Sequence, residues 1–191
     1  MEKNILVLDI ETTGFLDKGG KIIEIGIVDL DLSTGKVIPL FDKVCHERPI
    51  TRKEVEDSWI VKNSTLTVED IQISRQLKEY SKEIQDILTA YPLGCTAYNN
   101  AFDFGFLENR GFIFPKKLAC PMILSINEVK APFKKNSFRG NSQKYKYPNF
   151  QEAWDHFFGK TGYIEAHRGL DDAMHEAKLV FELYKKGIFK I

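Results

Sequence analysis

Two carboxylates one residue apart, Asp9 and Glu11, close an unbroken apolar run from Ile5 to Leu8, and Gly14 stops the segment. A short run of this kind, partly β-branched and ended by glycine, predicts a buried central strand. Side chains alternate along a strand, so Asp9 and Glu11 point to one face and Ile10 to the other. Two ionised carboxylates on one face repel each other unless a cation lies between them. A hard divalent ion, which prefers oxygen ligands, meets that need. A polar strand end fraying into water is the other way to read the same pair.

The 191 residues suffice for one domain, residues 1–191, with a substantial core. Lys plus Arg and Asp plus Glu number 27 each, so no global field marks a nucleic-acid or membrane partner, and local clusters must carry that argument. Cys45, Cys95 and Cys120 show no CxxC spacing. Reduced thiols of a cytoplasmic protein are expected, without a zinc site. No apolar run reaches the roughly 18 residues of a membrane span. The chain opens directly on a strand with no signal-peptide pattern, which again predicts a cytoplasmic location and no membrane partner.

A second strand is expected over Ile22–Val28 and a third near Lys36–Val44, with a turn at Ser33-Thr34-Gly35. The short links favour an antiparallel meander. From Pro49 to Ile73 the chain is polar and irregular, with one helical turn at Thr67–Ile71 where Thr67 and Asp70 have capping-box spacing. Leu77, Ile84, Ile87 and Leu88 give a helix-period stripe within Ser74–Ala90. A fourth strand at Cys95–Tyr98, a helix at Phe102–Arg110 and a fifth strand or half-extended segment at Leu118–Leu124 follow. Helices over Phe150–Phe158 and Leu170–Lys186 end the chain. Three meander strands followed by alternating helices and strands define an α/β class with a mixed sheet.

Two further stretches carry polar residues at element ends. Tyr98-Asn99-Asn100-Ala101-Phe102-Asp103 leaves a strand and enters a helix. Asp103 falls in the first turn, where an acid also gains from the helix dipole. Ala166-His167-Arg168-Gly169-Leu170-Asp171-Asp172 sets His167 on a loop and both acids in the first turn of the last helix. Neighbouring helix residues point about 100° apart, so only one of the two acids can face a shared ligand.

In this order and spacing the motifs resemble the DEDDh 3′→5′ exonucleases, the group that includes the proofreading epsilon subunit of bacterial DNA polymerase III, over nearly the whole chain. Asp9-Ile10-Glu11-Thr12-Thr13-Gly14 is similar to the first exonuclease motif, and Asn99–Asp103 with Phe106-Leu107 to the second. His167–Asp172 is similar to the third, and Ile23-Glu24-Ile25-Gly26 to the usual second strand. The chain departs at Tyr98, where the family often has His, and at Gly169, where Ala is usual. It departs also at Ser64, in a run that is commonly His-Gly-Ile-Thr.

The resemblance implies an RNase H-like fold and removal of 5′-mononucleotides from the free 3′ end of single-stranded nucleic acid, with DNA favoured. RNA trimming and a non-catalytic nucleic-acid-binding module of the same fold are the alternatives. It implies that Asp9, Glu11, Asp103 and Asp172 hold two divalent cations, Mg²⁺ or Mn²⁺, which clamp the attacking and leaving oxygens. Asp9 would bridge both ions, Glu11 and Asp172 complete the first, and Asp103 support the second through water. His167 would be the general base, since an imidazole can take a proton near neutral pH. The His-x4-Asp spacing selects Asp172 over Asp171.

The turn Thr12-Thr13-Gly14-Phe15, with Asn99, would hold the terminal nucleotide. Phe15 either wedges beside the last base or covers the sheet end as a core residue. Phe102 is expected in the core and Glu24 as a buried structural acid. Between Val129 and Gln151 there is no acid, and Lys134, Lys135, Lys144 and Lys146 interleave with aromatic residues. Such a stretch suits an anionic backbone with stacking bases, or a solvated loop with tucked aromatics. Nothing indicates a polymerase partner or an oligomeric state. The chain ends soon after its last helix, so a freestanding enzyme is expected.

Overall fold

The computed structural model describes residues 3–133 and 144–191. Strands β1 (Asn4–Thr12), β2 (Ile22–Asp31) and β3 (Val37–His46) form the antiparallel meander. Three short helices follow, α1 (Arg52–Asp57), α2 (Trp59–Asn63) and α3 (Val68–Ile73). Then come β4 (Arg75–Gln76), α4 (Leu77–Ala90), β5 (Cys95–Thr96) and α5 (Asn100–Asn109). The chain continues through α6 (Pro121–Leu124) and α7 (Ile126–Val129) to α8 (Phe150–Phe158) and α9 (Gly169–Lys185). The sheet order is β4-β3-β2-β1-β5, with β4 parallel to β3 and β5 parallel to β1.

Alternation along β1 builds two cores. Leu6, Leu8 and Ile10 pack with Ile84 and Leu88 of α4 and Phe104 and Leu107 of α5. Ile5 and Val7 pack on the other face with Trp154 of α8 and Ala173, Ala177 and Val180 of α9. Burial on both faces is why β1 reads as a continuous apolar run. A satellite core of Ile23, Val55, Ile60, Leu66, Val68 and Ile71 seats α1–α3.

The structure corrects the sequence reading in three places. Residues 52–63, expected to be irregular, form α1 and α2, and α1 starts on a capping box between Thr51 and Glu54. Leu118–Leu124 is not a strand. Pairing there is confined to an isolated bridge between Cys95 and Lys117, after which Pro121 opens α6, a first-turn position that proline favours. The fifth strand is instead the two-residue β4, which the helix-period stripe had absorbed. Lys134, Lys135 and the rest of residues 134–143 in the basic stretch lie outside the described residues. Among the described residues no helix is long and apolar enough to cross a membrane.

Candidate active site

The end of β1 sets the site. Asp9 and Glu11 share a face with Ile5 and Val7, the face covered by α9. α9 comes unusually close because Gly26 lies opposite Asp9 on β2. A Cβ on Gly26 would sit 2.2 Å from the Gly169 carbonyl carbon. Backbone contact between helix and sheet brings the first turn of α9 over the strand end.

Asp103 arrives from the other layer. β5 pairs with β1 at Leu6 and Val7, and beyond that the edge of β1 is open. The Asp103 Oδ1 accepts the Ile10 N–H there at 3.2 Å. Asn99, at φ 66°, makes the left-handed turn from β5 into α5. Short polar residues tolerate that conformation better than most.

Asp172 is 3% exposed and held by three donors. Its Oδ1 accepts from Tyr163 Oη at 3.1 Å and the Ala166 N–H at 3.3 Å, and its Oδ2 from the Arg168 N–H at 3.0 Å. Between those two backbone donors sits His167, at φ 52°. Its ring meets the Trp59 indole edge to face at 4.7 Å. Ligand atoms of Glu11, His167 and Asp172 lie within 4.8 Å of one another.

Burial, joined by crowding at Asp9 and Glu11, raises the affinity of these carboxylates for protons. Burial, then Glu11, Glu176, Asp103 and Asp172, pushes Asp9 well above the carboxylate range. Burial, then Asp172 and Glu24, lifts Glu11 to about 9. Burial lifts Asp103 to about 7 against its backbone hydrogen bonds, and raises Asp172 against its own. Asp9 Oδ2 is shielded from solvent and has no hydrogen-bond partner in the described residues. A buried oxygen without a donor, among acids that repel one another, is an arrangement that a bound cation would satisfy. Carboxylate oxygens with one imidazole fit a hard divalent metal ion.

The remaining expected residues are distributed around this group. Thr12 Oγ1 donates to the Gly14 carbonyl at 2.9 Å, and Thr13 Oγ1 accepts the Lys21 N–H at 3.0 Å. Both hydroxyls therefore shape the turn. Arg110 anchors it from below, donating to the Gly20 carbonyl at 2.8 Å while paired with Glu47. Phe15 is 63% exposed, so it is not a core residue. Phe102 packs partly buried against the α5 core. Asn99 is exposed at the start of α5. Lys144 is exposed beside the Tyr145 ring, and Lys146 is ion-paired to Glu152 of α8.

Sequence reasoning missed Glu165, Glu176, Tyr163 and Trp59. Burial and Asp172 lift Glu165 to about 7, and burial and Asp103 raise Glu176 as well. Glu176 had a readable signal, because it lies one helical turn after Asp172 on the same face. Tyr163, Glu165 and Trp59 come from irregular or very short segments that no periodicity marks.

The fold, a mixed five-stranded sheet flanked by helices, is RNase H-like. The model of the Exonuclease family (RNase_T) matches residues 6–180, and the chain belongs to that family. No curated protein sequence matches the chain. Among solved structures it is similar to a 3′-exonuclease recognising the 3′ end of a histone mRNA stem-loop. That match has a TM-score of 0.68 and 16% identity over 100% of this chain and 85% of the other. It is similar also to the nuclease domain of 3′hExo, a DEDDh family member bound to rAMP, with TM-score 0.66, 17% identity and coverage of 100% and 97%. E. coli exonuclease I with a dA16 oligonucleotide gives TM-score 0.61 and 17% identity, covering 95% of this chain and 41% of the enzyme. At these identities the likeness is one of fold.

Proposed function

We propose that the chain, as one catalytic domain, is a DEDDh-type 3′→5′ exonuclease that releases 5′-mononucleotides from the free 3′ end of a single strand, with DNA favoured over RNA. The observation that carries this reading is the orphaned Asp9 Oδ2 within a group of acids, with His167, Glu11 and Asp172 offering ligand atoms within 4.8 Å of one another. Asp9, Glu11, Asp103 and Asp172 are the residues to hold two divalent ions, Mg²⁺ or Mn²⁺. Bound there, the ions would polarise the phosphate and stabilise charge on the attacking and leaving oxygens.

The chain's own residues do the rest. His167 takes the proton of the attacking water at a ring nitrogen and lies close enough to Glu11 and Asp172 to act on a phosphate held between them. Tyr163 and two backbone N–H groups keep Asp172 aimed at the site. The Thr12–Phe15 turn receives the terminal nucleotide, with backbone groups for the 3′-OH and Phe15 for the last base. Base–aromatic stacking of this kind is worth roughly 1–3 kcal/mol and tolerates any sequence.

The test is digestion of matched DNA and RNA oligomers, labelled at either end, with Mn²⁺, Mg²⁺ or excess chelator. The expected product is mononucleotide from the 3′ end, faster for DNA and absent in chelator. His167→Ala should lose about 10²–10⁴-fold in rate while binding the strand normally. Cutting of a circular single strand would overturn the exonuclease reading, and undiminished rate in chelator the metal reading. Faster RNA digestion would reverse the substrate preference.

A further inference from the structure

Arg168 joins His167 to the first turn of α9, yet its side chain is committed to β2. Its Nε lies 3.1 and 3.0 Å from the two carboxylate oxygens of Glu24, and its Nη2 lies 2.7 Å from Oε1. The Gly169 N–H adds a bond to Oε2 at 3.1 Å, and Nη1 reaches Thr65 Oγ1 at 2.9 Å. Glu24 is 1% exposed and stands directly across the sheet from Glu11. Like charges opposite one another on neighbouring strands are destabilising. Arg168 gives Glu24 its own counter-charge, which leaves Glu11 to the Asp172 and His167 side.

The same arginine bounds a strained loop. His167 has φ 52°, a left-handed conformation uncommon outside glycine. Such a conformation persists only where the surroundings impose it. Here the N–H groups on both sides of His167 are fixed on Asp172. The Arg168 guanidinium then fastens the loop to the sheet, and the Trp59 ring closes the other side of the imidazole.

We propose that Arg168 is a positioning residue: its ion pair with Glu24 holds the 166–168 loop so that the His167 imidazole faces Glu11 and Asp172. The proposal rests on the reading of His167 as general base. A misplacement of about 1 Å in a reacting group costs on the order of 10²-fold in rate.

The deciding variant is Arg168→Met combined with Glu24→Gln. Breaking one partner alone strands a buried charge, whereas neutralising both commonly leaves stability intact. The double variant should melt near the parent, lose on the order of 10²-fold in kcat with Mn²⁺, and keep its KM for a single-stranded oligomer. Arg168→Lys should recover part of the rate, since an ammonium can pair with Glu24 but without the two-pronged grip.

A readout independent of turnover is the His167 ring resonance, assigned by its loss in His167→Ala. With the indole ring 4.7 Å away, it should be displaced by the ring current in the parent and should move in the double variant, while Arg168→Lys should keep it near its place. Parental kcat with an unmoved resonance in the folded double variant would overturn the proposal. A raised KM at parental kcat would also overturn it and make Arg168 a substrate-phosphate cation. If His167→Ala itself keeps the parental rate, the general-base reading has failed. The catalytic half of this proposal falls with it, and the resonance then decides only whether Arg168 holds the loop.

Discussion

Asp9 shows what a single side chain contributes to this site. Burial and four neighbouring acids hold it in favour of the protonated form, burial and its acidic neighbours do the same to Glu11, and burial alone does so to Asp103. A carboxylate whose folded pKa lies above its unfolded value takes up a proton on folding. Its contribution is complete below the unfolded pKa and is lost as pH rises through the folded one. With Glu11 raised from 4.5 to about 9 and Asp103 from 3.8 to about 7, the metal-free protein should lose stability across that interval. Asp9→Asn removes one charge from the cluster. In chelator its melting temperature should exceed the parent's at pH 8 and fall less steeply with pH, while nuclease activity disappears. Thermal melts of both proteins, from roughly pH 5 to 9, check this, and superimposable curves would remove the strain argument. The shared face of Asp9 and Glu11 and the first-turn places of Asp103 and Asp172 were legible because strand and helix geometry fix them, while His167 stands on the loop before α9. The Tyr163 and backbone donors on Asp172 were not, since they meet it only through the folded loop.

Among elements, the crossing of α9 on β2 decides whether the third motif reaches the first. Gly26 and Gly169 touch backbone to backbone, and a Cβ on Gly26 would lie 2.2 Å from Gly169 C and O. Neither atom belongs to a side chain that can swing aside. Gly26→Ala should therefore lift the first turn of α9, at a cost of about 1–3 kcal/mol in stability. Displacing Asp172 and His167 by about 1 Å should lower kcat on the order of 10²-fold. Denaturant melts and single-turnover digestion of the folded variant measure the two effects. A folded Gly26→Ala protein with parental kcat would mean that α9 does not set the site. The elements that the sequence announced are those whose pattern is local: the apolar runs of β1 and β2 and the stripes of α4 and α9. β4 is two residues long and exists through pairing with β3, so no local pattern could mark it, whereas the fourth strand expected at Cys95–Tyr98 is β5, shortened to Cys95–Thr96. α1 and α2 are too short for a helical period to emerge, although Thr51 and Glu54 carried a capping-box spacing.

Across the whole molecule, the carboxylates join the two helical layers that flank the central strand. Asp9 and Glu11 stand on β1, Asp103 comes from α5 on one face, and Asp172 from α9 on the other. A cation bound among them ties both helical layers to the central strand, and in its absence their mutual repulsion pries at that end. The formal net charge is zero, so this strain is local rather than a property of the overall charge. A ligand that binds the native state alone stabilises it by mass action, about 2.7 kcal/mol at 100 times Kd. Mn²⁺ and Mg²⁺ should therefore raise the melting temperature. They should also slow hydrogen exchange at the first turns of both α5 and α9, an effect that a surface ion would not produce on two layers at once. Ca²⁺ should stabilise as well, because its ligand demand is also for oxygen, but its larger and looser coordination should support little turnover. Thermal melts with each ion, exchange measured by mass spectrometry and digestion rates form the set. If Mn²⁺ stabilises the protein but protects neither first turn, the ion binds elsewhere and the grouping of these acids is structural.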